Sequence, residues 1–377
     1  MVRIGIVALW IALMFGALYW PKWGWLHYDE RTLNVFAWGD ILEPSVIADF
    51  EKETGIKVRL SYYSSNEELL VKLKATRGAG YDLIIPSDYA VQLLVQEGLL
   101  KELDTTRLSF WKEINPQLLG HAFDPENRFS IPFEWEVFGF GVDTHYFGGL
   151  PNDPSWKLIF DKETVSYKIA MINDPLEAVL FSAFYLYGPL QTLSPAQTHA
   201  VRELLIQQRT WVEAYADFRA DYFLATKNCP VAVASSSYIW RTMRLFPFVS
   251  FVVPKEGTFI TIENLCIPAA TDKEELVYRL IHYLYRPESV AAHHKTFGFF
   301  PATIGSLPGV DLDPVARALI LTPPEEFRKF HFFQMLLPEQ EVRNLWVEVK
   351  TSGFYTQANS AGSLKDVDVR RSQIPHL

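Results

Sequence analysis

From Leu33 onward the apolar residues follow two rhythms in turn. LNVFAW (Leu33–Trp38) predicts a strand, and PSVIADFEKETG follows with Val46, Ile47 and Phe50 at helical spacing and Gly55 as its stop. IKVRLSYY (Ile56–Tyr63) alternates and is β-branched, which predicts a second strand. NEELLVKLKATRGAG predicts a helix closed by glycines, and YDLIIP the next strand. Within it, Leu83-Ile84-Ile85 is apolar without alternation, as in a strand buried on both faces. Farther on, Tyr167–Asp174, VAVASS and FPFVSFVVP predict strands. PLEAVLFSAFYLYG, AQTHAVRELLIQQRTWVEAY and KEELVYRLIHYLYRP predict helices. Strands separated by helices of this length imply βαβ units and parallel sheet, an α/β fold class. Past Ser352 the chain turns polar, which predicts a flexible tail over 353–377.

The first 24 residues depart from this pattern. Ile4–Trp20 is a 17-residue run without a charge, preceded by Arg3. It predicts a signal peptide or membrane anchor, with the N-terminus in the cytoplasm and the rest of the chain outside. No cysteine follows the run, which excludes lipid attachment there. A chain of 377 residues, 49% hydrophobic and 21% charged, is a folded protein of two domains or one large one. Its net charge of −9 disfavours nucleic acid and favours a cationic partner.

In open parallel sheets, ligands bind beyond the carboxyl ends of the strands. That rule joins three stretches into one candidate site: Trp38-Gly39-Asp40 after the first strand, Ser87-Asp88-Tyr89 after the third, and Asn173-Asp174 later. Carboxylates bond ammonium groups strongly, and aromatic faces attract cations while covering methylene carbons. A crevice of this composition suits an amine. Asp88 is expected to cap the helix YAVQLLVQEG, leaving Ser87 and Tyr89 to face a ligand. Asp174-Pro175-Leu176-Glu177 has the form of a capping box, which is compatible with Asp174 also meeting an ammonium.

The series VFAWGD, FEKETGIKV, SNEELLVKLKA, GYDLIIPSDY, LLKELD, FDPENRFSIPFEW and FGFGVD resembles, in order and spacing, the periplasmic spermidine/putrescine-binding proteins of bacterial polyamine ABC importers. The likeness runs from about Leu33 to Lys350 and is densest before Val142. It implies a two-lobed periplasmic-binding-protein fold of type II character, with a ligand cleft between lobes joined by hinge strands. Lobe one would hold residues 33–142 and 263–307, and lobe two residues 143–262 and 308–352. It implies a monomer that closes over a polyamine or other small organic cation and docks on an inner-membrane ABC permease, without catalysis. The ligand-binding residues so implied are Trp38, Asp40, Ser87, Tyr89, Asp174, Glu177, Glu263 and Gln334. Phe299 or Phe300 takes the place of a tyrosine. Ser235 and Thr261 stand where the resemblance implies tryptophans lining the methylene chain, with Tyr238 or Trp240 as substitutes. Trp135 is divided between site wall and hinge packing, and Glu134 and Glu136 beside it add negative charge without an assigned role.

Other chemistries find less support. The chain has no G-x-S-x-G, P-loop, H-E-x-x-H or dinucleotide glycine fingerprint, so neither an enzyme nor a cofactor is expected. His293 and His294 are neighbours in a helix and point to different sides, and Tyr62 and Tyr63 are neighbours in a strand. No metal is expected at either. Cys229 and Cys266 have no metal spacing, and a domain this large does not need their bridge. A competing reading is a membrane-anchored sensor or scaffold that keeps the fold and has altered or lost its ligand.

Overall fold

The computed structural model describes residues 31–216 and 219–352, together with Trp10 and Met14. The N-terminal apolar run, apart from those two residues, and the tail past Ser352 lie outside the described residues. Among the described residues no helix is long and apolar enough to cross a membrane.

Eleven strands are described, and the first three form a parallel sheet in the order β2-β1-β3, from β1 (Thr32–Trp38), β2 (Lys57–Tyr63) and β3 (Leu83–Ile84). Only two residues of the predicted YDLIIP strand enter that ladder. β4 (Ile131–Asp143) is 13 residues long and buried throughout. β5 (Ile169–Ile172), β6 (Val212–Ala216) and β7 (Val231–Ser235) form a second parallel set in the order β6-β5-β7, and β7 runs antiparallel to the second half of β4. β8 (Val249–Val252) and β9 (Thr258–Leu265) then pass successively along β4, β8 against its second half and β9 against its first. Single antiparallel bridges, Ile84 to Cys266 and Ser87 to Glu263, attach β3 to β9. β10 (Phe300–Pro301) pairs with β4, and β11 (Phe330–Phe332) lies parallel to β9.

Each half of the molecule thus has three parallel strands followed by two antiparallel ones. The first reads β2-β1-β3-β9-β4 and the second β6-β5-β7-β4-β8, so β4 and the β8–β9 run are shared. These two crossing strands join the lobes. Where β4 crosses, Gly139 is required: a Cβ there would lie 2.5 Å from the Val252 carbonyl oxygen, a backbone atom that cannot swing aside.

Local signals explain most helices. Helix Pro44–Thr54 starts with proline in its first turn, buries Val46, Ile47 and Phe50, and ends on Gly55 at φ 66°. Helix Pro175–Tyr187 is capped by Asp174, which accepts the Glu177 N–H. It buries seven consecutive residues, Ala178–Phe184, as an element enclosed on all sides must. Helix Pro195–Gln208 stops short of its expected end at Tyr215, because Val212–Ala216 joins the sheet as β6. Aromatic and β-branched residues from Trp211 onward favour that pairing over another helical turn.

One cluster of buried side chains fills the first lobe (Leu33, Val35, Phe50, Ile281) and another the second (Val142, Trp156, Phe181, Leu345). A third follows the crossing strands through Trp135, Val137, Ile260 and Ile262 and reaches both lobes. The segment expected in lobe two from residue 308 divides its contacts. Ile320 and Thr322 accept side-chain hydrogen bonds from Asn115 and Gln117, whereas the helix over 339–352 adds Val342, Leu345 and Val349 to the second-lobe cluster. Cys229 and Cys266 are buried free thiols.

Candidate functional site

The carboxyl ends of β1 and β3 and one face of the crossing strands converge on a group of acids. Trp38, the last residue of β1, donates its indole N–H to Glu263 Oε2 at 2.9 Å and packs on Tyr63. Glu263 lies on β9 directly across the ladder from Glu134, and Thr261 directly across from Glu136. Side chains two apart on a strand share a face, so Glu134, Glu136, Glu263 and Thr261 look the same way. Asp88 joins them from the end of β3. Its Oδ2 accepts the Ile262 N–H at 2.9 Å and its Oδ1 the Tyr89 N–H. All four carboxylates are buried.

Burial sets their protonation. It raises the Glu263 carboxyl well above the usual range, and the charges of Asp88 and Glu136 raise it further. Glu134 is raised by burial and then by Glu136. Glu136 is raised by burial against the opposing hydrogen bonds of the Ser235 and Ser237 hydroxyls, the latter at 2.5 Å. Asp88 is pushed up to about 7 by burial, with the two backbone N–H groups pulling the other way. Asp88 is therefore not the helix cap expected of it. Ser87 occupies the cap position without a side-chain cap bond, and Asp88 is the first residue of helix Asp88–Gln96. The Ser87 hydroxyl, itself buried, accepts from Asn66 Nδ2 at 2.7 Å.

The second lobe faces these acids with different chemistry. Ser235 ends β7, and Tyr238 and Arg241 follow on helix Ser236–Met243. The Arg241 guanidinium lies over the Tyr238 ring, 4.5 Å from its centre, and its charge acts on Glu136. The charge of Asp40, exposed in the turn after β1, acts on Tyr238 from the other lobe. Ser235 and Thr261, the small residues where the resemblance implies indoles, both flank Glu136. Trp240 does not replace either one: it is buried and packs, tilted by 53° and 4.4 Å between ring centres, on His294 of helix Pro287–Phe297.

Tyr89 and Gln334 belong to an adjoining cavity of about 410 Å³ between the lobes. Asp88 lines it too, with an aromatic wall from Phe123, Phe184, Phe332 and Phe333 that the sequence reading missed. The volume suits a small organic ligand. Gln334 donates to the Leu190 carbonyl, and Tyr89 is half-buried, its phenol held above the usual range by burial and by Glu67 and Glu339. Asp174 and Glu177 stand at the N-terminus of helix Pro175–Tyr187, beyond the end of β5.

Of the weaker candidates, Trp135 and Phe300 are core. Trp135 is fully buried, donates to the Pro301 carbonyl at 3.3 Å and meets Phe300 edge to face at 5.1 Å. Phe300 is equally buried, while Phe299 is partly exposed and its carbonyl bonds His294 Nδ1. Trp135 faces away because Glu134 and Glu136 on either side take the acid-bearing face. The E-W-E alternation inside an apolar strand was the signal for these two acids. Among the described residues no group of three or more His, Cys, Asp or Glu is arranged to hold a metal ion.

This geometry agrees with the comparisons to known proteins. The profile of the bacterial extracellular solute-binding proteins matches residues 45–318. The chain belongs to that family. The putrescine-binding periplasmic protein PotF of Escherichia coli K12 is 30% identical over 90% of this chain and 96% of its own. The putrescine/agmatine-binding protein of Pseudomonas aeruginosa PAO1 is 28% identical over 85% and 92%. Among solved structures, a putative spermidine/putrescine ABC transporter protein from Listeria monocytogenes superposes with a TM-score of 0.74 at 25% identity, over 85% of this chain and 99% of that one. The two-lobed arrangement built on β4 and the β8–β9 run is the fold of this family.

Proposed function

We propose that this protein is a periplasmic binding protein that captures a polyamine, putrescine- or spermidine-like, or another small organic cation by closing its lobes. It then delivers the ligand to an ABC permease in the inner membrane. The observation that carries the reading is the set of four buried carboxylates where the crossing strands meet the ends of β1 and β3, beside the Trp38 indole. The names of the relatives point to the same ligand class. In this reading Trp38, Asp40, Tyr89 and Glu263 engage the ligand from the first lobe and hinge. Ser87 engages it beside Tyr89 from the first lobe, and Asp174, Glu177 and Gln334 engage it from the second. The lobes divide near Val142, Ile262 and Leu307, and the protein acts as a monomer. Capture needs no bond to be made or broken. Closure is a shift of an open–closed equilibrium toward the form in which both sets of groups reach the ligand.

A second reading, a sensor or scaffold without this ligand, is favoured by Arg241, an internal cation beside Glu136. Calorimetry with putrescine and spermidine separates the two. Binding, with a compaction on ligand addition seen by small-angle scattering, is expected. Absence of heat for both amines overturns the transport reading.

A further inference from the structure

Three of the four buried acids have protein donors: Asp88 the backbone of Tyr89 and Ile262, Glu136 the Ser237 hydroxyl, and Glu263 the Trp38 indole. Glu134 differs. It is 4% exposed, and its Oε2 receives no hydrogen bond from the described residues. It stands directly opposite Glu263 on an antiparallel ladder, and its other near charge is Glu136 two residues along the same face. Like charges opposed across a ladder destabilise a sheet, and a buried acceptor without a donor costs stability again. A buried strand whose only other acids are Glu136 and its terminal Asp143 gains nothing for folding from a glutamate at this place. A cation brought by the ligand supplies what the fold leaves out.

We infer that Glu134, with Glu136 and Glu263, forms a cation subsite at the hinge end of the cleft that receives a terminal ammonium or guanidinium of the ligand. The small side chains of Ser235 and Thr261 beside Glu136 suit a charged head group rather than an aromatic sleeve. Charge-assisted bonds to the ammonium give Glu134 the donor it lacks and relieve its repulsion by Glu263. Specificity at this end of the cleft then comes from ionic pairing.

The inference rests on the reading of the protein as a cation-binding protein, and one experiment keeps the two apart. Putrescine and spermidine affinities are measured by calorimetry for the wild-type protein and for Glu134→Gln, with thermal melting of both without ligand. At least a tenfold loss of affinity for both amines is expected, with the melting temperature of the ligand-free variant unchanged or raised. Glu134→Val, which suits a strand, takes its place if the amide variant does not fold. Binding by the wild type with unchanged affinity in the variant overturns the inference alone. A wild type that binds neither amine overturns the functional reading and this inference with it.

Discussion

The two lobes share a strand plan and differ in what they present at the same strand ends. In the first, β3 ends at Ser87 and buried Asp88, and the neighbouring β9 carries Glu263. In the second, the equivalent β7 ends at Ser235, followed by Ser237, Tyr238 and the cationic Arg241. The buried carboxylates are thus concentrated on the side of the first lobe and hinge, and the equivalent strand end of the second lobe carries hydroxyls, a phenol and a guanidinium. Under the proposed function the asymmetry means that one lobe would capture and the other cover: a cation would meet the first lobe and hinge first, and the second lobe would add Asp174, Glu177 and an aromatic wall on closing.

The division is most exposed to failure at Glu263. Replacing it by Gln is expected to weaken putrescine binding by about 3 kcal/mol, roughly a hundredfold, as for a desolvated charge pair losing one partner. Equal affinity in calorimetry would remove the first lobe from its capturing role.

Protonation sharpens the comparison next. Asp88 ordinarily titrates at 3.8 and here at about 7, so the fold favours its protonated form. The stabilisation it contributes is complete below pH 3.8 and is lost as pH rises through about 7, and Glu134, Glu136 and Glu263 act with the same sign. Relative to Asp88→Asn, whose amide nitrogen can accept neither backbone N–H at any pH, the ligand-free wild-type protein is therefore expected to lose on the order of 2 kcal/mol of stability between pH 4 and pH 8. A bound cation favours the ionised acids, so affinity should tighten from pH 5.5 to pH 8. Melting curves and titrations at the two ends check both signs.

Asp174→Asn on the covering side keeps the helix cap and removes the charge, and about a tenfold loss of affinity is expected. A loss as large as that of Glu263→Gln would erase the distinction between the lobes. The smallest effect belongs to Trp135→Phe. It loses the bond to the Pro301 carbonyl and about 1 kcal/mol of stability by denaturant titration, with amine affinity unchanged.

Much of the first lobe was legible because β1, β2 and their helices alternate over short distances, with Gly55 marking a boundary. β6 was hidden because the apolar spacing of helix Pro195–Gln208 continues into it without a glycine or proline. The cap role of Asp88 was misread because Oδ2 serves the N–H of Ile262, a residue 174 positions away, and Oδ1 that of its neighbour Tyr89. Trp38 and Glu263 were singled out from a strand end and the resemblance, and the fold brings them into hydrogen-bond contact. The burial of Glu134 could not be foreseen, since it depends on which strand lies across from it. Tyr62 and Tyr63 follow strand alternation, the one exposed and the other buried.

The bridge from β3 to β9 has a consequence for how the chain is made. The first lobe holds the earliest strands, yet its sheet is completed by Ile84 pairing with Cys266 and Glu134 pairing with Glu263. Synthesis must pass that point before those pairings exist, and such distant contacts form late because their loop entropy is spent before any contact repays it. For most of its synthesis the nascent chain therefore lacks β9, the strand that links β3 to β4 in the first-lobe sheet.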